Sequence, residues 1–402
     1  RGDKTGDIAE SYDFFRYGVK ADINDTFSVG ILYDEPFGAA AEYTQSNFVS
    51  QGDVDASIAS ITNGAAPSLA AAQAGIGALA AGETAGVLTP AQQAQLDGLR
   101  GAVAVAQAEA GTAGENTNVE VRSQSLTGIL GMKFGANKNF QIYGGPVAQR
   151  TQSETKLRGL AYGPASGYTS NSNPDMDYGY IAGIAYSKPE IALKAALTYR
   201  SEIDHDIQIS ESYPLVAIRA TAAGATPEQA AAAANRNSKY EITTPKSVNF
   251  DFQTGINPTT LATAKVRWVP WSDFVITPPL YNDTSKISYG PDGLNLVEYK
   301  DDQWQVELGL AKRLTPALAV SGTVGWDSGA GNPVTSLGPV EGYYSVGLGA
   351  KYNVTENWAV SVGGKYLWFG DAQGQLPTGK IVADFEDNDG YIAGVKLSYQ
   401  GK

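Results

Sequence analysis

The sequence predicts an all-β protein, a transmembrane antiparallel β-barrel with helical extracellular loops, on three observations. Its long stretches alternate apolar and polar residues one by one, the links between them alternate short and long, and aromatic residues gather near strand ends. A period of two puts every second side chain on one face of a strand. Tight turns on one side and long loops on the other are how outer-membrane barrels are wired, with the short turns periplasmic.

Thirteen strands are readable. Leu193, Ala195, Leu197 and Tyr199 share one face, and Lys194, Thr198 and Arg200 the other. Trp304, Val306, Leu308 and Leu310 alternate with Gln303, Gln305 and Glu307; Leu318, Val320, Val324 and Trp326 with Ser321, Thr323 and Asp327. The pattern returns in Trp358, Val360, Val362, Tyr366 and Trp368, and again in Tyr391, Ala393, Val395, Leu397 and Tyr399. Short links fall at 136–139, 187–190, 257–260, 314–316 and 353–357, each built from turn-forming residues. Long links fall at about 48–116, 159–176, 211–238, 275–295, 328–340 and 371–388. Aromatics at Phe140 and Tyr143, Trp268 and Trp271, Tyr343 and Tyr344, Trp358, Tyr366 and Trp368 read as interfacial girdles, or as cross-strand packing.

The first long link is an Ala-rich insertion, 48–116. Thr89-Pro90 with Gln92 writes a capping box, and Leu96, Leu99 and Val103 form the stripe of the helix it opens. Leu69, Ala72, Ile76 and Leu79 make a second stripe, so a helical hairpin is expected, as a cap over the barrel mouth or as a solvated excursion with no gating role. Thr226 with Gln229 repeats the capping signal.

Composition narrows the function. A net charge of −13 opposes nucleic-acid binding. Cysteine is absent from the sequence, which excludes disulfides and thiolate chemistry. The sequence holds no run of about 18 strongly apolar residues, so a spanning helix is not expected. Arg1-Gly2-Asp3 spells an adhesion tripeptide but reads as chance.

Leu197-Thr198-Tyr199-Arg200-Ser201-Glu202 resembles a strand of the FadL-type outer-membrane transporters of long-chain fatty acids and other hydrophobic compounds. Ile23-Asn24-Asp25-Thr26-Phe27, Phe37-Gly38 through Glu42, Val147-Ala148-Gln149-Arg150, Thr244-Pro245 and Trp271-Ser272-Asp273-Phe274 extend the resemblance, in order, from about Tyr12 to Tyr399. It implies a 14-stranded barrel plugged by an N-terminal hatch, with capture by extracellular loops and sideways release through the wall. It further implies a passive channel, not an enzyme, in the outer membrane of a Gram-negative bacterium. Expected partners are a hydrophobic small molecule, membrane lipids and lipopolysaccharide, with a monomeric chain and no cofactor. Residues 1–402 read as one barrel domain. The family's hatch and first strand have no counterpart here, so an upstream segment is expected in the natural protein.

Candidate sites follow. Lys156 and Arg158 lie close to where the family carries a cation for its ligand, and otherwise read as loop or rim charges. Arg200 is a further substrate-binding candidate, or part of an interior charge network with Lys194 and Glu202. Asp34-Glu35-Pro36-Phe37-Gly38 interrupts a strand, since Pro removes a ladder donor and Gly relaxes the backbone. Pro36, Phe37 and Gly38 are therefore candidates for the frame of a lateral opening, or for an ordinary rim bulge. His205, the one histidine, lies four strand residues from Ser201, roughly 13 Å, too far for a hydrolase pair. Phe385 to Gly390 reads as a turn, with a calcium loop as the alternative, and no metal site is expected. The competing functions are a general diffusion porin for polar solutes, a lipid-acting enzyme and a structural barrel.

Overall fold

The computed structural model describes residues 4–46 and 53–401; Arg1 to Asp3 and residues 48–52 of the Ala-rich insertion lie outside them. From the N-terminus run β1 (Tyr17–Asp22), β2 (Phe27–Asp34), β3 (Gly38–Glu42), then α1 (Val54–Ile61), α2 (Leu69–Thr84) and α3 (Pro90–Ala110). There follow β4 (Asn118–Phe134), β5 (Phe140–Lys156), β6 (Thr169–Ser172), β7 (Asp175–Lys188), β8 (Leu193–Arg200) and β9 (Ile203–Ser212). Helices α4 (Pro214–Ala222) and α5 (Pro227–Ala234) precede β10 (Asn235–Thr244), β11 (Ser247–Asn257) and β12 (Thr260–Val269). A short pair, β13 (Val275–Ile276) and β14 (Val297–Glu298), encloses α6 (Pro279–Tyr289). The remainder is β15 (Gln303–Arg313), β16 (Leu318–Asp327), β17 (Val334–Thr335), β18 (Glu341–Asn353), β19 (Trp358–Gly370), β20 (Ala372–Gln375), β21 (Ile381–Phe385) and β22 (Asp389–Tyr399).

Seventeen of these segments join in one antiparallel sheet. Four wall strands are each split in two, β2/β3, β6/β7, β8/β9 and β10/β11, so the wall has thirteen strands, each next to its sequence neighbours. Short turns and long links alternate without exception. The turn after β1 is closed by Asn24 Oδ1, which accepts from the amides of Thr26 and Phe27 at 2.8 Å each.

The two faces divide as lipid and lumen require. Leu130, Leu310, Val324 and Leu348 stand outward and largely uncovered; Leu348 is 74% exposed. On the opposite face Ser123, Ser125, Thr127 and Ser345 are buried, and Lys365 pairs with Glu307 across the interior. A water-soluble chain rarely leaves so continuous an apolar surface open. Outward rings bracket this band. Phe134, Phe140 and Tyr186 cluster at the turn end, as do Trp358 and Tyr399. Trp268 packs on Trp304, and Tyr366 on Trp368, at the loop end. Along β18, Tyr344 and Tyr352 are eight residues apart, about 27 Å of strand. At a tilt of about 40° that spans roughly 21 Å, near the apolar band of about 25 Å that such barrels present.

Not every ring read as girdle belongs to it. Tyr143 turns inward to the Thr198 hydroxyl, Tyr343 inward to Gln305 Nε2, and Trp271 inward to Gln303. Tyr143 and Tyr343 each sit an odd number of positions from an outward partner on the same strand (Phe140, Tyr344), and a period of two cannot send both outward; Trp271 lies past the end of β12, in a helical turn that re-aims it.

Above the band the pattern reverses. In β8 Leu197 faces lipid, but in β9 Ile203, Ile207 and Ile209 are buried while Asp204, Asp206 and Gln208 are exposed. The switch occurs at Ser201-Glu202, directly across from Pro245-Lys246, with register unchanged from Arg200↔Ser247 below to Ile203↔Thr244 above. One inserted residue on each strand turns both apolar faces inward together. The hairpin of β9 and β10 thus leaves the membrane as a water-facing sheet.

The long links pack into an apolar core over the mouth, with Tyr43, Leu157, Tyr162, Tyr168, Leu280 and Phe385 among its buried members. Tyr168, Tyr213 and Tyr281 stack there at 5.2–6.3 Å. Glu211 accepts from the Tyr168 hydroxyl at 2.7 Å and from the first amides of α6, Leu280 at 2.8 Å and Tyr281 at 3.1 Å. That anchors a carboxylate at the positive end of a helix. Capping boxes form at Thr89/Gln92 and Thr226/Gln229, and α1, α2 and α3 bury Ile58, Ala72, Leu99 and Ala106 against one another. Helices α1, α4 and α6 carry no comparable capping box or apolar stripe in the sequence and are additions to the expected helices.

Two outcomes test this arrangement. Leu348→Arg places a charge at mid-band and should cost about 2–4 kcal/mol of folding free energy into lipid vesicles. Gln208→Arg, above the reversal, should change that free energy by no more than about 0.5 kcal/mol, both variants being measured by guanidinium titration. In the last turn of α3, Glu109 is 1% exposed and neither carboxyl oxygen has a hydrogen-bond partner. Burial pushes its pKa up to about 7; the nearby Ser166 hydroxyl offsets part of the rise and the Asp53 charge adds to it. A raised carboxyl pKa means the folded cap holds a proton that the unfolded chain gives up from about 4.5. The cap should therefore be firmest below pH 4.5 and loosen as pH rises to about 7. Hydrogen exchange in α1 and α3 at pH 5 and 8 should show the difference, and Glu109→Gln should abolish it.

Candidate functional site

The interruption at 35–37 is a one-residue bulge. Asp34 pairs with Ser125 below it and Gly38 with Arg122 above it, a shift of one in register against the unbroken β4. Phe37 is tied to β4 by its amide and carbonyl, both bonded to Ser123 Oγ at 2.8 and 2.7 Å. On the other side of the same strand the wall opens. Tyr17 pairs with Tyr33, and further up Ala9 bridges Ala41. Between those points no ladder joins 11–16 to 34–39 among the described residues; a lone bond runs from the Phe15 amide to Glu35 Oε2 at 3.1 Å.

Tyr12 fills part of that gap. A Cβ at Gly38 would collide with its ring and hydroxyl, so glycine is what admits Tyr12 there. The ring stacks on Phe14 and lies 5.2 Å from the Arg122 guanidinium, while Phe14 and Phe15 stand exposed.

Inward from the gap, the kinked strand touches the far wall twice. Asp34 Oδ2 meets Arg200 Nη1 at 3.1 Å, four wall strands away. The Phe37 ring meets Trp271 edge-on at 5.9 Å, and Trp271 is packed by Phe274 and Tyr299. Arg200 keeps Nε and Nη2 buried without partners, and Asp34 keeps Oδ1 so. Arg267 lies on the inward face of β12, within electrostatic range of Arg200, Asp34 and Asp327. The lumen is therefore constricted at the level of the gap, by one ion pair with spare donors and one aromatic contact.

The sequence candidates fall differently. Pro36, Phe37 and Gly38 border the gap, and Arg200 lines the constriction. Glu202 sits at the strand break and Lys194 near the turn end, so they do not join Arg200 in one cluster. Lys156 lies on the outward face of β5 beside Glu154 at 3.4 Å. Arg158 is buried and engaged by Glu115, the Leu157 and Tyr168 carbonyls and Thr169 Oγ1. Residues 386–388 form the tight link into β22, with Asp387 in the left-handed region. Arg267 escaped the sequence reading although the alternation of β12 places it inward; Tyr12 gave no signal, because its role depends on Gly38 in another strand.

Residues 4–400 match the family model described as "Outer membrane protein transport protein (OMPP1/FadL/TodX)". The fold is similar to that of a crystal structure of a Pseudomonas aeruginosa FadL homologue, at 14% identity over 96% of this chain and 77% of the other, with a TM-score of 0.61. It is also similar to the Pseudomonas putida toluene transporter TodX, at 11% identity over 96% and 82% of the two chains and a TM-score of 0.51. No curated protein sequence matches the chain.

Proposed function

This chain belongs to the FadL/TodX family of outer-membrane transport proteins, and from that footing we propose that it takes up hydrophobic small molecules passively and releases them sideways through the gap beside Pro36, Phe37 and Gly38. The loops gather substrate at the mouth, above the constriction. It passes to the constriction, where Phe37 and Trp271 contact its apolar body and the spare donors of Arg200 meet a polar head, a long-chain carboxylate above all. Each buried CH₂ favours this by about 0.8 kcal/mol. Release between 11–16 and 34–39 leads straight into the apolar layer, so the substrate never crosses water. The observation that carries the reading is the coincidence, at one height, of an unladdered wall segment and a constriction built by the same kinked strand. Lys156 faces outward, toward lipid and lipopolysaccharide, and Arg158 is held by the protein's own groups; neither is assigned to substrate. The Asp34–Arg200 and Phe37–Trp271 contacts across the lumen disfavour a general diffusion porin.

Deleting Pro36 removes the extra residue and brings β2 and β3 into one register with β4. Uptake of a radiolabelled fatty acid by cells should fall at least tenfold while the purified protein still binds it. Undiminished uptake refutes lateral release, and steady ion conductance of the wild type in planar bilayers would favour the porin. Arg200→Met separates substrate classes. Affinity for a long-chain carboxylate should drop about 10- to 100-fold, as for loss of a charge-assisted bond, with affinity for a neutral aromatic hydrocarbon unchanged; equal losses for both would remove the head-group role.

A further inference from the structure

A second seam in the wall holds a cluster that the transport reading leaves unused. Between Tyr180, whose carbonyl accepts from the Ser201 amide, and Asn173, whose amide donates to the Gln208 carbonyl, no backbone ladder joins β7 to β9 among the described residues. His205, fully buried, occupies that seam. Its Nδ1 lies 3.0 Å from Asp175 Oδ2, and its Nε2 lies 2.9 Å from Gln149 Oε1. Gln149 Oε1 also accepts from the Thr244 hydroxyl at 2.9 Å, so it serves as an acceptor. With Nε2 donating to that oxygen, Nδ1 faces the carboxylate either as the N–H of an imidazolium or as a lone pair open to a cation.

One donor atom each from Asp175, Asp177 and His205 lie within 4.8 Å of one another. An independent observation points the same way. Thr151 is 8% exposed, its hydroxyl has no hydrogen-bond partner, and it stands directly opposite Asp175 on the shared inward face of β5 and β7. Directly opposed residues place their Cβ atoms about 5 Å apart, within reach of a common ion. Asp177 stands opposite Gln149 in the same ladder. Asp175 retains 23% side-chain exposure, which leaves a way in.

We propose that Asp175, Asp177 and His205, with the Thr151 hydroxyl, form a binding site for a divalent cation of the zinc class, which braces the wall where backbone pairing lapses. One imidazole nitrogen with carboxylate and hydroxyl oxygens is a borderline donor set that suits Zn²⁺ over Ca²⁺, whose sites are all-oxygen. Gln149 holds the far ring nitrogen, as the outer partners of ligating histidines do. Sequence spacing could not reveal the site, because its residues come from three strands. It rests on this chain's own side chains and stands whether or not the lateral-release reading holds.

The test titrates Zn²⁺ into the full-length protein in detergent, after stripping with chelator, by calorimetry. One Zn²⁺ per chain is expected, weakened at least tenfold in Asp177→Asn and in Thr151→Val to a smaller degree. X-ray absorption of the wild-type complex should show a single imidazole among oxygen neighbours. Heat-modifiable gel mobility establishes that each variant is folded. Absence of binding, binding unchanged in Asp177→Asn, or a coordination shell without imidazole would each overturn the proposal; so would Ca²⁺ competing on equal terms.

Discussion

Inside hydrocarbon an unpaired backbone amide has no water to bond, and each such group costs several kcal/mol. The ladder of this wall exists to meet that demand, which is why thirteen strands pair with their neighbours in one continuous antiparallel series. Where the ladder lapses, something else must satisfy the chain. At the bulge of β2/β3, Ser123 takes both backbone groups of Phe37. At the break between β8 and β9, Ser201 Oγ accepts from the Tyr180 amide at 2.9 Å, in place of a carbonyl. Small hydroxyl side chains stand in for backbone at both points.

The same demand explains why β8/β9 and β10/β11 break together. A bulge on one strand alone would shift register with the other and leave a mismatch along the whole upper hairpin. Two insertions opposite each other, Ser201-Glu202 and Pro245-Lys246, preserve the register and change only which face looks inward. Pro is tolerated there because its missing N–H falls where the ladder is already interrupted. The bulge of β2/β3 is unpaired in this sense, since β4 runs through uninterrupted. Its consequence is the opposite one: register shifts, and the strand parts from its other neighbour.

Much of this was legible in the sequence. Alternation marks thirteen strands and the polar interior, and the turn residues mark the end that carries the short links. Pro36 and Gly38 marked the interruption of their strand, and both capping boxes stand where Thr-Pro-x-Gln is written. What stayed hidden depends on distance across the lumen. No local pattern pairs Asp34 with Arg200, or Phe37 with Trp271. Arg158 shows the limit from the other side: its charge suggested a ligand, but Glu115, 43 positions earlier, had already claimed it. The inward turn of Tyr143 and Tyr343 follows from counting positions along their strands, whereas that of Trp271 depends on the helical turn after β12.

A gap in a barrel wall is useful only if it does not leak. An aqueous opening at 34–39 would admit water to the lipid core, and a sealed one would pass nothing. Part of the gap is closed by ring packing where a ladder is missing. Tyr12 lies in the gap against a glycine, packed by Phe14 and Arg122, and the lone backbone tether nearby runs to the Glu35 side chain. Moving a ring held by contacts of this kind costs far less than opening a hydrogen-bonded ladder. Asp34, one residue below, couples the gap to the lumen through its pair with Arg200. In the proposed uptake, a substrate carboxylate that drew Arg200 away would free the end of β2 at the point where its neighbour is already unladdered. On the proposed route, occupancy of the constriction would bear on the wall segment through the two contacts that the kinked strand makes across the lumen, Asp34–Arg200 and Phe37–Trp271.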